Sequence, residues 1–265
     1  MKIAVLGAGK IARALVGGIV RSGLCPVEEI TVSDKSSEAR RSFEQETKVR
    51  AVADNAAAVR GAGVTLLCVK PQDAVEAVSS ASESLDGQLL ISVAAGIHSS
   101  TLATAAPETR IIRAMPNTAA LIGRSATAIA PGQAATQQDL DLAEKIFRSV
   151  GLVVVTEEHH LHAVTGLSGS GPAYFYLVVE ALMDGAVAEG LTPATARALV
   201  AATMSGTAEM LASSTAHPAA LREAVTSPGG TTIAGLLALE RAGTRAAFAQ
   251  AVRAASARSR ELADS

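Results

Sequence analysis

Residues 3–12 read Ile3-Ala4-Val5-Leu6-Gly7-Ala8-Gly9-Lys10-Ile11-Ala12. Four apolar residues, a glycine turn and the start of a helical period follow one another without a break. This succession specifies a buried strand, a tight turn and a helix. Gly7 permits the turn, Gly9 leaves room for a pyrophosphate to approach the backbone, and Ala12 is small enough for helix and strand to pack closely. The N–H groups at the helix start, with the positive end of its dipole, suit a diphosphate. A glycine turn without a ligand is the plain alternative. Strand, turn and helix nevertheless agree over residues 2–20 and favour dinucleotide binding, with Leu6, Gly7, Ala8, Gly9, Lys10 and Ile11 as the cofactor loop.

Working outward, Asp34 falls at the end of a second apolar run, at the distance where an acid accepts hydrogen bonds from the adenosine ribose. That favours NAD. Ser33, Lys35, Arg40 and Arg41 offer a hydroxyl and cations that could hold a 2′-phosphate instead. A solvated helix face explains Arg40 and Arg41 more simply. The choice between NADH and NADPH is open at this level.

The alternation continues. Strands are expected at 3–6, 30–33, 64–69, 89–93, 110–114, 126–130 and 152–156, with helices at 11–22, 37–46, 56–60, 74–82 and 137–149 between them. Alternating β and α at this spacing implies an α/β, Rossmann-like domain with a mostly parallel sheet covered on both faces. From Glu157 onward only helical patterns occur, over 157–164, 172–189, 193–213, 218–225, 231–242 and 245–263. Pro193 and Pro218 stand where a missing N–H costs a first helical turn nothing. The expected domains are therefore 1–156, dinucleotide-binding, and 157–265, all-helical.

Composition narrows the function further. The 265 residues carry 23 basic and 25 acidic side chains, a net charge of −2. A near-neutral chain lacks the electrostatic footprint of nucleic-acid or anionic-membrane binding. Six aromatic residues and no Trp argue against base stacking. Hydrophobic residues at 49% against 18% charged exclude global disorder. No run of transmembrane length lacks charge, since the most apolar helix carries Glu180 and Asp184. The N-terminus lacks a signal-peptide pattern, and two cysteines make no disulfide framework, so a cytoplasmic protein is expected.

Two glycine-rich turns mark the second half. Gly166-Leu167-Ser168-Gly169-Ser170-Gly171-Pro172 is read as a turn joining two helices. It does not satisfy GxSxG and follows no strand, so it is no nucleophile elbow. Thr226-Ser227-Pro228-Gly229-Gly230-Thr231-Thr232 ends one helix and opens another. Its glycines expose backbone N–H groups to a carboxylate, and it has more hydroxyls than a helix cap needs. His159 and His162, with Glu157 and Glu158, have helical spacing but lack HExxH or a second cluster, so no metal is expected. His98 and His217 read as isolated surface residues. Cys68 reads as a small hydrophobe and Cys25 as a loop residue, with no positioned Cys/His pair.

Together these segments resemble the pyrroline-5-carboxylate reductase family over essentially the whole chain. The resemblance rests on 7–12, Val69-Lys70-Pro71-Gln72, Ala94-Ala95-Gly96, Met115-Pro116-Asn117-Thr118, 163–174 and Ser227-Pro228-Gly229-Gly230-Thr231-Thr232-Ile233. It implies reduction of 1-pyrroline-5-carboxylate to L-proline with NADPH or NADH, tipping the cofactor toward NADPH. It also implies homodimers interlocked through the helical half, often assembled into decamers. Cys68, Val69, Lys70 and Pro71 match the segment beside the nicotinamide half, Ala94, Ala95 and Gly96 a neighbouring one, and Asn55 a position near the adenosine end. Asn117 joins the cofactor set. Ser227, Gly229, Gly230, Thr231 and Thr232 match the substrate loop, Thr232 as the catalytic group, and Glu158 a substrate-side position. Ala119, where the family usually has Pro, and Ser33-Asp34 depart from its pattern. A β-hydroxyacid dehydrogenase would want a Lys in the helical half, and 157–265 contains none. A nucleotide-holding redox sensor would leave 227–232 without a task.

Overall fold

A computed structural model of the chain describes residues 1–263. Its α/β part is built on strands β1 (Ile3–Leu6), β2 (Ile30–Ser33), β3 (Arg50–Val52), β4 (Val64–Leu67), β5 (Leu89–Ser92), β6 (Arg110–Met115), β7 (Ser125–Pro131) and β8 (Gly151–Val155). They form one sheet in the order β3-β2-β1-β4-β5-β6-β7-β8. Pairing is parallel throughout except between β6 and β7, where Arg113 faces Ala130 in antiparallel register. Strand order reverses at β1, which pairs with β2 through Ile3↔Ile30 and with β4 through Ile3↔Val64. In an open α/β sheet the crevice for a ligand lies at such a reversal, beyond the strands' C-terminal ends.

Helices α1 (Lys10–Arg21), α2 (Ser37–Thr47), α3 (Asn55–Val59), α4 (Ala74–Ser79), α5 (Ser82–Leu85), α6 (Ser99–Ala105), α7 (Gln137–Arg148) and α8 (Leu161–Val164) belong with the sheet. Strand alternation sorts β1 between two cores. Ile3 and Val5 enter one with Leu15, Ile19, Phe43 and Phe147, while Ala4 and Leu6 enter the other with Val59, Val78, Leu85 and Leu102. On α1, Ala12, Leu15, Val16 and Ile19 are buried, the i, i+3, i+4, i+7 stripe of a helix lying on a sheet. Each large side chain so buried contributes roughly 1.5–3 kcal/mol.

Four features were not expected from sequence. β3 is a three-residue edge strand, too short to show a period. The stretch expected as one helix over 74–82 breaks into α4 and α5 around Ser80 and Ala81. α6 buries only Leu102, so its apolar stripe is faint. The segment expected as a linking turn after Val164 is itself helical: Thr165–Gly169 form a π turn, closed by the Ser170 N–H donating to the Thr165 carbonyl at 2.8 Å.

The chain divides into two compact units. One holds Met1–Ser170 together with the stretch from Arg253, and the other is Gly171–Val252. The expected change at residues 156 and 157 precedes that division, and residues 264 and 265 of the expected second domain lie outside the described residues. The second unit contains α9 (Gly171–Ala188), α10 (Pro193–Ala212), α11 (Pro218–Ala224), α12 (Thr231–Arg241) and the start of α13 (Thr244–Ala263). Thr192 caps α10 by accepting the Thr195 N–H at 3.2 Å, with Pro193 in the first turn. His217, expected as an isolated surface residue, caps α11 through Nδ1, which accepts the Ala219 N–H at 3.2 Å. No helix among the described residues is long and apolar enough to cross a membrane.

Candidate active site

The glycine loop joins β1 to α1 at the switch point. Gly7 has φ +101°, and a Cβ there would lie 2.9 Å from the carbonyl carbon and oxygen of Cys68. Only glycine lets β1 turn this close to the end of β4. Gly9 differs. Its φ is −78°, it is the N-cap of α1, and no side chain caps that end. A Cβ on Gly9 would meet nothing within 4 Å. The first N–H groups of α1 therefore look into open space, which suits a diphosphate. This cradle fits a dinucleotide.

A cleft of about 540 Å³ runs from the loop to the ends of β2 and β4. It brings together Gly7, Gly9, Ser33, Asp34, Lys35, Asn55, Cys68, Val69 and Lys70 of the expected cofactor set. Asp34 is partly buried, its Oδ2 accepting the Ala8 N–H at 2.9 Å and its Oδ1 the Ser36 N–H at 2.8 Å. Ser33 is buried and donates its hydroxyl to Asn55 Oδ1 at 2.7 Å, while Asn55 Nδ2 donates to Ser80 Oγ at 3.0 Å. Lys35 is exposed and paired with Asp73 at 2.7 Å. Burial pushes the Cys68 thiol up to about 12, so it stays protonated and inert. Sequence reasoning missed Asp73, Glu76 and Ser80 of this cleft. The 3₁₀ turn Pro71–Asp73 and the start of α4 carry the two acids there, and nothing local in the sequence marks that position.

The remaining cofactor candidates flank that cleft or lie beyond it. Leu6 is a buried strand residue. Ala8, Lys10 and Ile11 offer backbone at the loop, and Pro71 opens the 3₁₀ turn. Ala94, Ala95 and Gly96 follow β5, where Gly96 has φ +77° and its Cβ position lies 3.5 Å from Leu262 Cβ. Asn117 is engaged within the fold: Oδ1 accepts the Ala119 N–H at 3.2 Å and Nδ2 donates to the Ser168 carbonyl at 3.1 Å. Gly169 lies against Met115, whose Cε is 2.6 Å from where its Cβ would be.

Glu158 stands in a polar cluster that the sequence did not reveal. Its Oε1 accepts the Ser99 N–H at 2.7 Å and Arg113 Nη1 at 3.1 Å, and its Oε2 accepts the Ser99 hydroxyl. His98, expected as isolated, lies 3.7 Å from the same carboxylate and 5.9 Å, ring to ring, from His162. Burial alone would raise the Glu158 pKa, but the Ser99 and Arg113 hydrogen bonds outweigh it and hold the carboxyl below its usual range. Glu158 thus caps α6 and balances the buried Arg113 charge. His159 is exposed against Glu157, whereas His162 is buried against Ser259 Oγ at 3.0 Å, so the two histidines do not share a face. Among the described residues no three His, Cys, Asp or Glu side chains gather as a metal set.

The second unit carries the other loop. Gly229 has φ +67°, and Ser227 Oγ lies 2.3 Å from where a Gly230 Cβ would be. Both glycines are required by the turn itself. Gly230 is the N-cap of α12, again without a side-chain cap. Thr231 and Thr232 are exposed in the first helical turn. Bare N–H groups and two hydroxyls at one helix start can receive a carboxylate and one further polar atom.

At the level of class, the glycine cradle at the switch point is that of a dinucleotide-binding α/β protein. Residues 2–96 match the family model described as NADP oxidoreductase, coenzyme F420-dependent, and residues 158–262 match pyrroline-5-carboxylate reductase dimerisation. The chain is 44% identical to a pyrroline-5-carboxylate reductase of Methanosarcina acetivorans over 98% of its own length and 97% of the relative's. An Arabidopsis thaliana enzyme of the same name is 40% identical over 100% and 96%. The solved reductase of Coxiella burnetii superposes with a TM-score of 0.92 at 34% identity, covering 98% of both chains. That of Plasmodium falciparum, with NADP bound, gives 0.90 at 28% identity, covering 99% of this chain and 98% of that one. The chain belongs to the pyrroline-5-carboxylate reductase family.

Proposed function

We infer that the protein reduces 1-pyrroline-5-carboxylate to L-proline with NADPH or NADH. The observation that carries this reading is the α12 N-terminus, where Gly230 leaves the first N–H groups uncapped and Thr231 and Thr232 present their hydroxyls. The substrate is a cyclic imine bearing a ring carboxylate. The α12 N–H groups bind the carboxylate, supported by Ser227. The Thr232 hydroxyl donates to the lone pair that develops on the ring nitrogen as it becomes an amine, so this bond is gained in the transition state. A protonated imine is already electrophilic at carbon, so the residues chiefly orient it. When bound, the reduced nicotinamide supplies hydride to that carbon. The protonated C=N then becomes CH–NH, and no further proton donor is required.

The α1 N-terminus binds the diphosphate, with Asp34 and Asn55 toward the adenosine. Val69, Lys70 and Pro71, with Ala94 to Gly96 and Asn117, line the nicotinamide half. Glu158 takes the substrate side, where its carboxylate also holds Ser99 at the end of the Ala94–His98 loop. Self-association runs through the helical unit, as a homodimer, with a pentamer of dimers as the larger assembly the family resemblance implies. Its surroundings are the cytoplasm, where free Cys25 and Cys68 stay reduced. Mixing the protein with 1-pyrroline-5-carboxylate and either nucleotide tests the reading: nucleotide oxidation matched by proline supports it, and nucleotide binding without turnover leaves a sensor.

A further inference from the structure

We propose that Asp34 selects the nucleotide, admitting NADH and turning NADPH away, an inference that rests on the reductase reading above. Its carboxylate is fixed from two sides. The Ala8 N–H of the glycine loop holds Oδ2 at 2.9 Å, and the Ser36 N–H beyond β2 holds Oδ1 at 2.8 Å. Swinging the side chain aside would strip both N–H groups of their acceptor. Each carboxylate oxygen keeps a second lone pair, so Asp34 can still accept the ribose hydroxyls expected at the end of β2.

A 2′-phosphate would instead meet a fixed like charge. It would also find Lys35 and Arg40 engaged. Lys35 is held by Asp73 at 2.7 Å. The Arg40 guanidinium donates to the carbonyls of Asp34 and Lys35 at 2.7 and 3.1 Å. The Ser33 hydroxyl is turned to Asn55. Asp73 and Glu76 line the same cleft and add to its negative sign. Of the groups a 2′-phosphate could use, Lys35, Arg40 and the Ser33 hydroxyl are already bonded, and Arg41 stands on the exposed side of α2. The geometry therefore reverses the preference for NADPH implied by family resemblance.

Calorimetric titration of the full chain with NADH and with NADPH, alongside kcat/KM for each, tests this. NADH should bind and turn over about tenfold better or more, since like charges brought together cost several kcal/mol. Asp34→Ser should narrow or invert the ratio by improving NADPH. Asp34→Asn, which keeps the shape and one acceptor, should do the same in part and serves if the serine variant misfolds. Equal or tighter NADPH binding by the parent, or an unchanged ratio in both variants, overturns the assignment. Binding of neither nucleotide overturns it together with the reductase reading. Selective NADH binding without turnover of 1-pyrroline-5-carboxylate would sink the reductase reading alone and leave the selection by Asp34 standing.

Discussion

Thr232 separates a chemical role from a structural one. A threonine near a helix start commonly caps it, and losing a cap costs about 1 kcal/mol. Here the N-cap is Gly230, so Thr232→Ala removes no cap. We expect an unchanged fold and cofactor affinity, with a loss of about 30- to 1000-fold in kcat/KM, the effect of roughly 2–4 kcal/mol in the transition state. A variant that melts lower but turns over at the parent rate would move the substrate site elsewhere. Asp139 is the structural counterpart. It is buried, accepts from Arg110 Nε at 2.9 Å, and closes the capping box of α7 with Thr136. Burial alone would raise its pKa, but the bonds from Arg110 and Thr136 prevail and lower it. The unfolded chain therefore takes up this proton first as pH falls. The stabilisation is complete above the ordinary carboxylate range and disappears as pH drops through the lowered folded value. Asp139→Asn should cost about 2 kcal/mol near neutrality. Its Tm should also fall less steeply than the parent's from about pH 5 to about pH 3; parallel curves would refute this. At this scale Asp34 and Thr232 are legible in the sequence because each follows a local motif. Glu158's work is not, because Ser99 and Arg113 lie far away in the chain and only the fold brings them to its carboxylate.

Among the elements, the β1–α1 turn allows the clearest test. Gly7 and Gly9 stand two residues apart in one motif, yet the structure gives them different tasks. Gly7→Ala would strain a positive φ and press a methyl on the Cys68 carbonyl, so it should lower Tm. Gly9→Val has an ordinary φ and open space, so it should fold normally and lose nucleotide binding. A Gly9→Val protein that binds nucleotide with parental affinity in calorimetry would remove this turn from the site. The elements that sequence periodicity reveals are those with a full stripe or a fully apolar run, such as α1 and β4. β3 is hidden because three residues at a sheet edge carry no period. α6 is hidden because its first N–H group is satisfied by Glu158, not by a residue next to it. The π turn at Thr165–Gly169 is hidden because Gly166 and Gly169 read as a loop.

For the whole molecule, α9 leaves an apolar surface uncovered. Phe175, Tyr176 and Leu177 are 60–68% exposed, more than single scattered residues would explain. In a family whose matched model is named for dimerisation, this is the surface to pair with a second copy. Leu177→Glu should shift the mass in light scattering toward that of one 26.8 kDa chain. A parent already at the single-chain mass at micromolar concentration would exclude the pairing. The α/β half and the helical half are both legible from the change in periodicity near residue 156. The division into compact units is not, because the last turns of α13 join the first unit from the far end of the sequence.

The central claim is hydride transfer to the imine carbon of 1-pyrroline-5-carboxylate, and isotopic labelling tests it most directly. The protein is given substrate and nicotinamide nucleotide deuterated on the transferred position of C4, and the product is analysed by mass spectrometry. Proline should carry one deuterium at C5, formed in step with nucleotide oxidation and nearly abolished by Thr232→Ala. Unlabelled proline, or bound nucleotide that is never oxidised, would contradict it.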